Sequence, residues 1–137
     1  MSDFEKNLEQ AINNAKRLTD KILIDGKLIS AQTNNKIPVL NPSTGDNIGS
    51  APQCNKDDVN IAVESAHKAF QKWKKIPARE RGKMVAAGAK RLEERKSEIE
   101  TLLSLDTGNA LRTQAIPETG ASIELTNMFA GLSGELK

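Results

Sequence analysis

Apolar positions along the chain change period twice, which divides it into three stretches. From Phe4 through Leu8, Ala11, Ile12 and Ala15 to Leu18 they recur every three or four residues, the spacing of one apolar helix face. Ser2 followed by Glu5 has the form of a capping box, so an amphipathic helix is expected to end near Thr19. Then the spacing shortens. Ile22-Leu23-Ile24 and Lys27-Leu28-Ile29 flank Asp25-Gly26, a pair that tolerates positive φ at both positions and favours a two-residue hairpin turn. A second extended pair, Ile37-Pro38-Val39-Leu40 and Asn47-Ile48-Gly49-Ser50-Ala51, surrounds Pro42-Ser43-Thr44-Gly45, where proline presets φ and glycine supplies a left-handed position. Pro38 confines its strand to an edge, or to a place where the missing N–H is harmless.

From Asn55 the period is helical again. Val59, Ala62, Val63, Ala66, Ala69, Phe70 and Trp73 make one stripe, with Asp57 and Asp58 at the positive end of the helix dipole and Lys74 and Lys75 at the negative end. Pro77 starts a second helix with a thin face of Met84, Val85, Gly88, Ala89 and Leu92. Ser97 and Glu100 have capping-box spacing before a short helix of Ile99, Leu102, Leu103 and Leu105, which Gly108 ends. Pro117 and Glu118 open the last helix, bearing Ile123, Leu125, Met128, Phe129 and Leu132. The expected organisation is a helix over 1–20, hairpins over 21–53 and helices over 54–137. Two small hairpins cannot cover four amphipathic helices, so these helices are expected to need cover from outside this chain.

Composition narrows the classes. Twenty Lys and Arg stand against 18 Asp and Glu, and aromatics are 3%, so no overall charge points to nucleic acid or a membrane. Twelve basic and six acidic residues lie between Lys56 and Lys96, yet only Phe70 and Trp73 could stack on bases there, and a nucleic-acid role is not expected. No stretch is long and apolar enough to span a membrane. Cys54 has no cysteine to pair with, in keeping with a reducing, cytoplasmic setting. It precedes a helix but has no histidine near in sequence, and His67 alone builds neither a metal cluster nor a catalytic dyad. Glu93, Glu94, Glu98 and Glu100 crowd a charged helix end and are expected to be solvated. Arg79 and Arg81 oppose the dipole at a helix start, which calls for an offsetting partner, a carboxylate ahead of a phosphate. Asp106, two residues before a helix-ending glycine, lies at the negative end of a dipole and is electrostatically misplaced unless a cation is near.

Taken in order, Asn41-Pro42-Ser43-Thr44-Gly45, Ala66-His67-Lys68-Ala69-Phe70 with Trp73, Pro77 with Arg79-Glu80-Arg81, and Leu105-Asp106-Thr107-Gly108 resemble the N-terminal part of the aldehyde dehydrogenase superfamily, from about Ile22 to Lys137. The resemblance implies an α/β fold in which these hairpins and helices belong to the nucleotide-binding domain, with the Rossmann-type strands and catalytic domain lying beyond this chain. It implies oxidation of an aldehyde with NAD or NADP, usually by a homodimer or homotetramer. The family's nucleophilic cysteine, its general-base glutamate and its nucleotide-contacting motifs fall outside this segment, which is therefore expected to be inactive alone. Within the segment the resemblance makes Arg81 structural, places a sodium or potassium ion on Asp106 with the carbonyls of Val39 and Leu40, and sets Ala121 on the aldehyde tunnel beside Gly120 and Glu124. Asn109-Ala110 and Phe129 depart mildly from the family pattern. The alternative is a free-standing, noncatalytic interaction module built on the first helix and the apolar helix faces.

Overall fold

The computed structural model describes residues 3–135. The chain forms α1 (Asp3–Leu18), β1 (Lys21–Ile24), β2 (Lys27–Ser30), β3 (Lys36–Leu40), β4 (Asn47–Pro52), α2 (Lys56–Trp73), α3 (Ala78–Glu94), α4 (Lys96–Thr107) and α5 (Ile116–Leu132). Every element read from the apolar spacing is present. Ser2 and the side chains of Phe4 and Leu18, expected in the first helix, lie outside the described residues.

Strands β1 and β2 pair antiparallel through Asp25 and Gly26, at φ 52° and 72°, the doubly left-handed turn that the dipeptide favours. Strands β3 and β4 form a separate antiparallel pair. Their register shifts between Val39, opposite Gly49, and Leu40, opposite Asn47. Ile48 is the extra residue of this bulge and is buried.

Capping residues start α2. The Asp58 amide donates to Asn55 Oδ1 at 2.9 Å and the Asn55 amide to Asp58 Oδ2 at 3.1 Å. Asp58 is buried, and its second oxygen accepts from the Gln32 amide at 3.0 Å, tying the β2–β3 connection to the helix. The sequence reading saw only its favourable charge.

Helices α3 and α5 form the largest helix–helix contact. A Cβ on Gly82 would lie 2.5 Å from the Ala130 carbonyl oxygen, so the crossing requires glycine. The packed side of α3 is thus Gly82 and Ala89, whereas Met84, Val85 and Leu92 of the expected face are exposed. Small residues permit the closer approach, and the larger apolar groups are left on the open side. Helix α5 likewise buries Thr119, Ile123 and Ala130 and exposes Leu125, Met128, Phe129 and Leu132.

One local expectation fails at a helix start. The Ser97–Glu100 capping box does not form, because α3 runs into α4 across the single residue Arg95 and Ser97 is already inside the helix. Its hydroxyl instead accepts from Asn7 of α1 at 3.0 Å. Before α5, Leu111–Ala115 forms a π turn, with the Ala115 amide donating to the Ala110 carbonyl at 3.2 Å. Pro117 accounts for it: proline has no N–H to bond and its ring crowds the carbonyl four residues earlier, which a wider turn relieves.

Candidate functional site

Gly108 joins two of the motifs. It ends α4 at φ 75°, and a Cβ there would stand 2.8 Å from Pro42 Cγ, so the turn after β3 seats directly on the end of α4. That turn is closed by Gly45 N to Asn41 O at 2.8 Å and by Ser43 N to Asn41 Oδ1 at 2.9 Å.

Beside this junction Asp106 and Val39 line one cleft of about 430 Å3, with Ile48, Ser50, Leu103 and Thr19. Leu40, the next residue on β3, is exposed and does not line it. Among the described residues no lysine or arginine pairs with Asp106, and no three His, Cys, Asp or Glu side chains cluster as metal ligands. Asp106 is exposed and is the one carboxylate of the cleft, whose lining is otherwise mostly aliphatic, with Ala15, Ile99 and Leu102 beside Val39, Ile48 and Leu103; a lone carboxylate is a hard donor and no transition-metal ligand set. The negative end of the α4 dipole favours a cation at the same place.

Asp20, which the sequence reading passed over, fastens the hairpin beside the cleft. At φ 60°, it donates its amide to the Ser50 carbonyl at 3.2 Å, accepts from Ser50 Oγ at 2.7 Å and pairs with Lys36. The hydrogen bond from Lys36, then that from Ser50, hold its carboxyl below the ordinary range. Ser50 stands opposite Pro38, so its carbonyl faces Asp20 and not a residue without an N–H, and the proline is harmless there.

The other candidates stand apart. Ala121 is exposed on α5, on the same helical stripe as exposed Leu125, Met128 and Leu132, while Gly120 is half-buried and Glu124 exposed. Arg81 finds its partner in the Ile76 carbonyl at 2.8 Å, not in the expected carboxylate: the guanidinium lies over the carbonyl-rich end of the preceding helix. Cys54 is exposed, and exposed His67 lies within hydrogen-bond distance of Gln71, its Nε2 3.0 Å from Gln71 Nε2. Glu93 and Glu94 sit on the surface in ion pairs with Lys96 and Arg91. Glu98 is not solvated: its side chain is 11% exposed and takes Arg95 in a fork, Nε at 2.9 Å and Nη2 at 2.6 Å. Asn14 of α1 bonds to it as well.

No described helix is long and apolar enough to cross a membrane. Residues 28–137 match the sequence pattern of the aldehyde dehydrogenase family. A phenylacetaldehyde dehydrogenase of Pseudomonas fluorescens is 34% identical over 122 residues, which cover 88% of this chain and 24% of that protein. A malonate-semialdehyde dehydrogenase of Lacticaseibacillus casei is 33% identical over 114 residues, 83% of this chain and 23% of that protein. The solved betaine aldehyde dehydrogenase of Staphylococcus aureus, in complex with NAD+, superposes with a TM-score of 0.85 at 27% identity, over 93% of this chain and 26% of that one. The chain thus spans about a quarter of the length of these proteins, their N-terminal part. With its motifs joined as described and both sequence and backbone following known members, the chain belongs to the aldehyde dehydrogenase family.

Proposed function

We propose that the chain serves as the N-terminal part of an NAD(P)-dependent aldehyde dehydrogenase that oxidises an aldehyde to a carboxylic acid, and that it has no such activity alone. The observation that carries this reading is the row of open apolar faces: Val63 is 62% exposed, Phe70 53% and Phe129 63%. An area of that kind calls for a covering layer. In the proposed enzyme the layer is the nucleotide-binding sheet, and the hairpins and helices brace it from one side. A sodium or potassium ion on Asp106 with the carbonyls of Val39 and Leu40 would pin the end of α4 to β3 by charge. Ala121 would border the aldehyde passage, its small side chain leaving room for a bulky or aromatic aldehyde. The proposed setting is a cytoplasmic homodimer or homotetramer.

The rate of such a reaction comes from holding thiolate, aldehyde and nicotinamide together, and neither a thiolate nor a nicotinamide site is assigned in this chain. The test is NADH or NADPH formation by the purified 137-residue chain with aromatic, aliphatic and acidic aldehydes. No turnover is expected. Turnover that survives repurification, and disappears in Cys54→Ser, would overturn the reading.

A further inference from the structure

We propose that the cleft beside Asp106 binds an aliphatic primary amine, its chain along the hydrophobic walls and its ammonium on the carboxylate. The inference goes beyond the enzyme reading and does not rest on it.

Ile99, Leu102, Leu103 and Asp106 all line the cleft and follow one another at helical spacing. Aliphatic wall and carboxylate therefore stand on one side of α4, about 10 Å from end to end at a rise of about 1.5 Å per residue. Val39 and the buried Ile48 line the cleft from the hairpin. The other polar side chains of the lining are already engaged: Thr19 Oγ1 donates to the Ala15 carbonyl at 3.3 Å, and Ser50 Oγ to Asp20 Oδ1 at 2.7 Å. Asp106 is left with no described lysine or arginine, at the negative end of the α4 dipole. A cleft of about 430 Å3 with apolar walls and one charged group has the make-up of a small-molecule site. An anion is repelled there, and an alcohol leaves the carboxylate without a counter-charge. The sodium or potassium ion proposed for the assembled enzyme meets one carboxylate in this chain and gains nothing from the aliphatic walls. An ammonium on a hydrocarbon chain gains from both, because each methylene laid on the walls leaves water. The wall is longer than the four-carbon stem of a lysine, and a free amine of about six carbons covers more of it.

The experiment follows the methyl signals of Val39, Ile48, Leu102 and Leu103 by NMR in the 137-residue chain, titrated with butyl-, hexyl- and octylammonium chloride and with 1-hexanol at constant ionic strength. The shifts should saturate, with affinity rising about two- to threefold per methylene from butyl to hexyl. Asp106→Asn should weaken hexylammonium about threefold and leave hexanol unchanged. Asp106 is exposed, so this variant keeps the fold. Hexanol binding as tightly as hexylammonium, or equal weakening of both by Asp106→Asn, would remove the carboxylate from the site and overturn the inference. Affinity that stops rising at butyl would make a lysine side chain the better occupant and would overturn the free amine. Equal shifts at Val63 and Leu125, on the open faces of α2 and α5, would show general partition onto apolar surface and no site in the cleft.

Discussion

Two glycines with nearly the same left-handed backbone do different work. Gly45, at φ 78°, has open space where a Cβ would go, whereas Gly108, at φ 75°, has Pro42 at 2.8 Å. Alanine at Gly45 should therefore cost only the left-handed strain, about 1–2 kcal/mol. At Gly108 it should cost that and a further 1–3 kcal/mol or so from the forced displacement of Pro42. Denaturant unfolding of both variants decides it, and Pro42→Ala in the Gly108→Ala background should recover the difference; equal losses would mean that the turn is not seated on α4. That Gly108 ends a helix was legible in the sequence, since a glycine after a run of helical spacing has few other meanings. Its contact with Pro42 was not legible, because the two residues come together only in space. Asp58 shows the same divide: its place at the start of α2 follows from local pattern, its grip on Gln32 does not.

At the scale of elements, the hairpin turns and the start of α2 came from residues adjacent in sequence and were read correctly, while the expected face of α3 is buried only at Ala89. Spacing shows that α3 is apolar on a side, but Gly82 and Ala89 win the packed position by size, which a hydrophobic pattern undervalues. The partner of α1 was also hidden, because its seam with α4 is partly polar. Glu98 lies in that seam. Arg95, above all, holds its carboxyl below the ordinary value of 4.5, with Asn14 and Arg17 of α1 acting the same way against the effect of burial. A carboxyl lowered on folding contributes stability that is full above the unfolded value and is lost as pH falls through the folded one. The α1 amide shifts in an NMR titration should accordingly stay constant above about pH 5 and move toward those of a released helix below about pH 4. Glu98→Gln should flatten that acid transition; an unchanged transition would place the titrating group elsewhere.

For the whole molecule, burial is concentrated where α3 meets α5 and where α1 meets α4, and α2 keeps only Asp58 buried. The expectation that four helices need more cover than two hairpins give is visible in this distribution. The purified chain should bind a hydrophobic dye strongly, and the amides of α2 should exchange faster than those of α3. A cooperative monomer without dye binding would favour the free-standing module instead. The π turn before α5 bears on the same distribution. It takes up one residue more than an α turn would, and each residue turns a helix by about 100°. Counted as phase, that single residue decides which flank of α5 meets α3 and which looks outward. Removing one residue from Leu111–Ala115 would keep the composition of α5 and still present the wrong flank to its neighbour, so the length of this segment is constrained more tightly than the identity of its side chains.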